Sequence, residues 1–495
     1  MTVADPQLGV FDSVADAIGN TPLIRLNRVT EGITATVYLK LEYLNPFGSV
    51  KDRAARAMID AAEAAGELRP GGTVVESTSG NTGIALAAIA ASRGYRTIVV
   101  VPDKSSAEKL ALLRAYGVEV HVTAGGLPRQ HPDFLKNVAL RLAADIPGAW
   151  YSGQYDNPAN PAAHRETTGP EIWSQTGGRI THFVTGIGTG GTITGTGEYL
   201  KSVSGGQVRV IGADPESSIY SGGDGHAWYV ESIGHYLHPR TDTDEWPQSY
   251  HPEVVDRIEQ VPDAEAFEVL RRLAGEEGLL VGGSTGTAVA AALRVARTLG
   301  PGDVVVAIAP DSGRNYLSTY FDPQWLGRLG FDAAPTAPGP RVGDRVAVAA
   351  DADAPAVVPS DVTVARAREL LGAYTALPVR LARAGAGYVV VAEILGAVSA
   401  SRLADAPGAD PVTDHLDPPL PVIGMHEPFA VAAQRLSDAT GPVVLARDGY
   451  AIALVDAADF DDAPRFDAGR TTVRPCGTTT YEVHRCSRRR TGEGS

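Results

Sequence analysis

The sequence predicts an α/β fold built on parallel sheets. Short β-branched runs alternate with Ala-rich helical stretches from about residue 10 to 330, and the runs are apolar throughout. A strand apolar on both faces is one covered on both faces, as in parallel sheets flanked by helices. At 495 residues the chain exceeds one ordinary domain, so two or three units are expected.

The buried strands read as TIVVVP (97–102), VEVHVT (118–123), HFVTGIG (182–188), VRVIGAD (208–214) and DVVVAIAP (303–310). Between them lie helical patterns such as Ala85–Ser92 and Ala288–Leu299. The Pro-, Ala- and Gly-rich stretch FDAAPTAPGPRVGD (331–344) breaks the alternation, as a linker does. The expected division is one unit over 1–332, a linker over 333–344, an α+β module over 345–464 and a disordered tail over 465–495. Within the module, 363–399 and 428–460 read as two copies of strand, helix, strand, strand, and such duplication builds a symmetric module with a cleft between its halves.

Composition narrows the function classes. A formal net charge of −15 argues against nucleic acid as a partner. No run of about 18 uncharged apolar residues occurs, so no membrane span is expected. MTVADPQLGVFDSVADA lacks a basic run followed by an apolar core, so a signal peptide is not expected and the cytoplasm is the default. Cys476 and Cys486 are the only cysteines; two thiols alone make neither a disulfide framework nor a metal site.

Four segments carry candidate chemistry. In LEYLNPFGSVKDRAA (41–55), Lys51 opens an apolar helix; the positive end of a helix dipole lowers an amine's pKa, and a neutral amine is what Schiff-base chemistry needs. Read alone, Lys51 is better taken as an exposed surface lysine. ESTSGNTGIALAAIA (76–90) packs hydroxyls and glycines into a turn before a helix, which makes either a carboxylate nest or an ordinary helix cap. VTGIGTGGTITGTG (184–197) is a strand, glycine loop and helix that can close on a phosphate. Gly186, Gly188 and Gly191 with Asp214 also match a dinucleotide-binding pattern, although Thr192 and Thr194 suit a terminal monophosphate. Finally, LLVGGSTGTAVAAA (279–292) sets Ser284 in a glycine turn before a helix; a neutral hydroxyl there can face a pyridine nitrogen.

Together and in this order, N-P-F-G-S-V-K-D-R, S-T-S-G-N-T-G, G-T-G-G-T and G-G-S-T-G, with QYDNPANPAAH (154–164) and PDSGRNY (310–316), resemble the fold-type II pyridoxal-phosphate enzymes of the cysteine synthase and cystathionine β-synthase group. The resemblance implies two parallel-sheet α/β subdomains with the cofactor, pyridoxal 5′-phosphate, between them. It implies Lys51 as the covalent cofactor lysine and the base at Cα, and Asn81 on the cofactor's 3′-oxygen. Gly188, Thr189, Gly190, Gly191 and Thr192 would hold the phosphate, and Ser284 the ring nitrogen. Thr78, Ser79, Thr82 and Gln154 would hold the substrate carboxylate. The implied reaction is β-replacement on L-serine or an activated serine through an aminoacrylate.

DPESSIYSGG (214–223), VESIG (230–234) and PDSGRNYLSTYFDPQW (310–325) resemble the cystathionine enzymes more than the plain cysteine synthases. Glu231 stands at a position that is acidic in the former, where it would bind the amino group of homocysteine or assist loss of serine's hydroxyl. The expected product is therefore cystathionine. The alternative is a cysteine synthase, or a related replacement on O-acetyl- or O-phosphoserine with another sulfur or amine nucleophile. The C-terminal repeats resemble a diverged pair of CBS domains, a tandem that can bind adenosyl ligands. No haem is expected, because the core begins almost at once, and a homodimer or higher homo-oligomer is the family's usual state.

The chain also departs from these patterns. Phe47 and Ser232 replace glycines usual in the cystathionine enzymes, Ser77 a proline, and His235 and Tyr236 residues typical of that loop. In the module, Ser399 and Asp456 fall where a ribose-binding Thr is common and Arg402 where Asp is common, while Asp459 is retained.

Overall fold

The computed structural model describes residues 10–460 apart from Ser79, Lys104, 242–243, 333–338, 347 and 349–353. The expected tail with Cys476 and Cys486, and half of the expected linker, lie outside the described residues.

The chain opens with β1 (Leu23–Arg25) and β2 (Thr36–Leu41), then leaves their sheet at α1 (Lys51–Ala65) to build a second one. That second sheet takes β3 (Thr73–Ser77), β4 (Arg96–Pro102), β5 (Glu119–Thr123) and β6 (Ala149–Tyr151), connected through α2 (Asn81–Arg93), α3 (Ala107–Ala115) and α4 (Leu135–Asp145). It is parallel throughout, in the order β5-β4-β3-β6. Two short helices, α5 (Ala159–Ala163) and α6 (Gly169–Gln175), lead back to the first sheet. There β7 (His182–Gly186), α7 (Gly191–Val203), β8 (Arg209–Pro215), β9 (Arg257–Val261), α8 (Asp263–Glu277), α9 (Gly283–Ala296) and β10 (Val304–Ala309) follow in turn. The large sheet runs β1-β2-β10-β7-β8-β9, parallel except for the edge strand β1. The five runs read as strands from the sequence are β4, β5, β7, β8 and β10.

Small residues set how closely the layers approach. Along α9 every residue from Gly283 to Leu293 is buried. A Cβ on Gly286 would come within 2.3 Å of the Ala266 carbonyl of α8, so glycine is what lets those helices touch. On α1 the buried face is Ala54, Ala55, Met58, Ile59 and Ala62, the three- and four-residue spacing of an amphipathic helix.

After α10 (Pro323–Arg328) the C-terminal module begins. Its first copy is β11 (Val358–Pro359), α11 (Val364–Leu371), β12 (Ala376–Arg380), β13 (Val389–Val390), β14 (Ile394–Ser399) and α12 (Ala400–Ala404). The second is β15 (Val422–Gly424), α13 (Phe429–Arg435), β16 (Pro442–Arg447) and β17 (Tyr450–Asp456). In each copy the strand before the helix pairs parallel with the strand after it, and that strand pairs antiparallel with the last. β13 crosses to pair with β17, tying the halves together. Val342, at the end of the expected linker, is already packed into the second copy's core. The module docks on the N-terminal unit through backbone bonds from Asp448 and Gly449 to Gly330 and Leu329.

Candidate active site

The two sheets face each other across a cleft lined by Lys51, Asn81, Gly188, Thr189, Gly190, Thr192, Ser232 and Ser284, among others. Gly191 stands just behind, as the first residue of α7 and against Asn160. Residues named from separate segments of sequence thus meet in one place.

The K-D-R string explains how Lys51 is presented. Asp52 accepts the Phe47 amide at 2.7 Å and the Ser49 hydroxyl at 3.3 Å, fixing the loop before the helix. Burial pushes the Asp52 carboxyl up to about 7. Arg53 grips Glu42 and Glu171 at 2.7 Å each, and Lys40 closes the buried network on Glu171 at 2.6 Å. With its neighbours anchored, Lys51 is the one side chain of the three that faces the cleft. Burial pulls its amine down to about 8, and the nearby Asp311 carboxylate opposes that shift.

Asn81 opens α2, and its amide donates to Asp311 Oδ2 at 2.7 Å. Tyr316 donates to the same oxygen at 2.6 Å, while Oδ1 of this buried carboxylate has no partner among the described residues. A cofactor contact through Asn81 therefore requires its amide to exchange partners or to use its carbonyl oxygen. Asp311 lies in the PDSGRNY string, and its role depends on a contact spanning 230 residues.

The glycine loop is shaped for close approach. Gly190 has φ +89°, and a Cβ there would lie 2.3 Å from Tyr250 Cβ. A Cβ on Gly188 would lie 2.5 Å from the Ser232 carbonyl. Asn160 donates to Thr189 Oγ1 at 3.0 Å, and His164 shares a 3.2 Å hydrogen bond with Thr192. Burial, with Arg53 and Lys51 nearby, holds the His164 pKa well below its ordinary value, so the ring is a neutral prop for the loop. The amides at the start of α7, of which Gly191's leans on Thr189 Oγ1 at 3.4 Å, and these fixed hydroxyls make an anion cradle. Ser284, at the start of α9, makes no side-chain hydrogen bond among the described residues and lies in the same cleft. An amine, a phosphate cradle and an unengaged hydroxyl at these positions fit a phosphorylated pyridine aldehyde.

The dinucleotide reading fails on Asp214. That residue is fully buried, and burial pushes its carboxyl up to about 7. It is out of reach of a ribose.

On the opposite wall, Thr82 donates to Gln154 Oε1 at 2.5 Å, and Thr78 Oγ1 accepts the Gly80 amide at 3.1 Å. Thr78, Thr82 and Gln154 are all buried; Ser79 lies outside the described residues. Glu76 holds this wall in place, accepting from Ser152 at 2.6 Å and from the Gln154 amide at 3.2 Å. Glu231 pairs with Lys109 at 2.7 Å. Lys109 is fully buried, with its stem over Gly80 and its ammonium 4.5 Å from the Tyr316 ring centre. Nothing local in the sequence marks Lys109.

Of the departures, Ser232 has φ +73°, the left-handed region that favours glycine, and its buried hydroxyl has no partner among the described residues. Phe47 packs against the α1–α2 core, and Ser77 shares a hydrogen bond with Tyr151. Among the described residues no cluster of three His, Cys, Asp or Glu could hold a metal, and no helix is long and apolar enough to cross a membrane.

Comparison with known proteins decides the family. The family model "Pyridoxal-phosphate dependent enzyme" matches residues 14–311. The chain belongs to that family. Its pyridoxal-phosphate-dependent unit is 46% identical over 316 residues to a probable cysteine synthase of Bacillus subtilis, covering 63% of this chain and 98% of the relative. It is 41% identical over 324 residues to the cystathionine β-synthase of Apis mellifera, covering 65% of this chain and 64% of that relative. Among solved structures, an O-ureido-L-serine synthase aligns with TM-score 0.58 at 41% identity, covering 63% of this chain and 95% of that one. An O-acetylserine-dependent cystathionine β-synthase from Helicobacter pylori aligns with TM-score 0.57 at 38% identity, covering 63% and 98%. The chain is thus a pyridoxal-phosphate enzyme, with cysteine synthases and cystathionine β-synthases as relatives.

Proposed function

We propose that the chain condenses L-serine, or an activated serine, with homocysteine to give cystathionine. The Lys109–Glu231 pair carries this reading. It lies between the carboxylate wall at Gly80 and the cleft wall at Ser232. One cation beside one anion suits a nucleophile that is itself an amino acid, with an ammonium and a carboxylate to place, better than bare sulfide.

The bound cofactor supplies the electron sink that makes the substrate's Cα proton acidic. Lys51 Nζ, whose pKa burial pulls down to about 8 so that part of it is neutral there, takes that proton and returns one at the end. Thr78, Ser79, Thr82 and Gln154 would orient the substrate carboxylate, Asn81 would meet the cofactor's 3′-oxygen, Ser284 its ring nitrogen, and Gly188 to Thr192 would hold its phosphate.

A second reading concerns the donor. The two solved neighbours named above carry O-ureido-L-serine and O-acetylserine in their titles, which favours an activated serine and leaves room for cysteine synthesis or an amine nucleophile. Product analysis by mass, with serine, O-acetylserine or O-phosphoserine against homocysteine, sulfide or an amine, tests both. The reading requires cystathionine as the fastest product, and cysteine formed faster from sulfide would overturn it.

The C-terminal module belongs to the same proposal as a diverged CBS-domain pair. Its two copies with the same strand pairing support this. An adenosyl ligand is the class such a pair would take, although Ser399 spends its hydroxyl on Asp417 at 2.7 Å. Thermal shift with adenosine nucleotides and S-adenosylmethionine tests it. A cytoplasmic homodimer completes the reading, and light scattering tests the dimer.

A further inference from the structure

A second cleft, of about 360 Å³, opens where the C-terminal module meets the catalytic unit. The catalytic side supplies Glu216, Trp228, Tyr229 and Asp263; the module supplies Arg447 and Tyr450, with Asp448 beside them. None of these residues was assigned a part in the chemistry above. The volume lies within the range of small-molecule sites.

The lining has a definite chemistry. Three carboxylates, Glu216, Asp263 and Asp448, line the cleft with Arg447 and His226, and Asp263 already accepts the Tyr229 and Val230 amides at 2.8 and 3.0 Å. The walls between them are aromatic, from Trp228, Tyr229 and Tyr450, and aliphatic, from Val261, Val390 and Ile452. An excess of negative charge over aromatic faces attracts an organic cation with a flat apolar body.

The cleft also shares a wall with the active site. Trp228 Nε1 donates to the Ile233 carbonyl at 3.2 Å, and Ile233 lines the cofactor cleft. The Trp228 ring lies so close to Gly234 that a Cβ there would come within 2.3 Å of it. Gly234 in turn donates its amide to Ile187 at 2.7 Å, next to Gly188 of the phosphate loop. The same loop is held by the module: Arg383 donates to the Gly225 carbonyl at 3.0 Å and lies 5.5 Å over the Tyr236 ring. His226 contacts Tyr450 at 3.1 Å.

We propose that this inter-module cleft is an effector site for a small aromatic or aliphatic amine, and that its occupancy reaches the cofactor through Trp228 and residues 233–234. The inference goes beyond the proposed reaction and does not depend on which nucleophile that reaction uses.

Tyramine is the probe, and 4-hydroxyphenylacetate, the same ring with the opposite charge, is the control. Calorimetry on the full-length holoenzyme should show saturable tyramine binding in the submillimolar range, at least about tenfold tighter than the control. Glu216→Gln should weaken it about fivefold, Ala264→Phe, which fills the cleft, should abolish it, and Lys51→Ala should leave it intact. Binding should also shift the visible absorption of the bound cofactor in the wild type, and Trp228→Phe should diminish that shift. The proposal is overturned if tyramine does not saturate below about 10 mM. Equal binding of the control, or unchanged binding in both cleft variants, overturns it as well. Saturable binding that leaves the cofactor spectrum unmoved overturns the coupling.

Discussion

Lys109 Nζ lies 2.7 Å from Glu231 Oε2, and the two residues come from opposite sheets: α3 beside the small one, and the loop after β8 of the large one. Removing the lysine leaves the glutamate largely buried without its counter-ion. Lys109→Met should cost about 2 kcal/mol of holoenzyme stability by urea denaturation. The double variant Lys109→Met/Glu231→Met should cost less than the single one. If the double costs more, the pair is not what stabilises this contact.

The same pair gives a kinetic prediction. Glu231→Gln should raise KM for homocysteine about tenfold while changing sulfide-supported turnover with the same donor much less. An equal effect on both nucleophiles would remove the pair from nucleophile recognition.

Ser232 combines a left-handed backbone with an unpartnered buried hydroxyl. Glycine relieves both, at the cost of some backbone freedom in the unfolded chain. Ser232→Gly should stabilise the protein by about 1 kcal/mol, read as a higher urea midpoint. A lower midpoint would mean that the hydroxyl has a partner in solution.

For Lys51, burial favours the neutral amine, so its folded pKa sits near 8 rather than 10.5. The apoenzyme should therefore capture cofactor faster as pH rises, with a midpoint near 8. Asp311 favours the charged amine, so Asp311→Asn should move the midpoint lower. Stopped-flow absorbance during reconstitution reads both, and a midpoint unmoved or raised in Asp311→Asn would contradict the assignment.

Gly190 and Gly206 share a left-handed backbone, but only Gly190 is hemmed in. Gly206→Ala should cost about 1 kcal/mol from strain alone. Gly190→Ala meets Tyr250 as well and should weaken cofactor affinity by at least about tenfold, measured by fluorescence titration. Equal behaviour of the two variants would argue that the loop is not pressed against Tyr250.

The active-site segments were legible because each is a short string whose chemistry is local: an amine at a helix start, or glycines before a helix. The parallel sheets were legible for the same reason, since a strand buried on both faces is apolar along its length. Asp311, Glu76 and Lys109 were not singled out, because what makes each matter is a partner far along the chain: Asn81 is 230 residues from Asp311 and Lys109 122 from Glu231. The inter-module cleft escaped entirely, since Trp228 and Tyr450 are ordinary aromatic residues until the module docks. Tyr236 read as an unexplained departure and proves to lie under Arg383 of the module.

Lys51 is proposed to hold the cofactor covalently. Borohydride reduction of the holoenzyme, followed by proteolysis and peptide mass spectrometry, tests it directly. A pyridoxyl mass is expected on the peptide containing Lys51, and none in Lys51→Ala. The same mass on Lys40 or Lys109 instead, or its persistence in the Lys51→Ala protein, would contradict it.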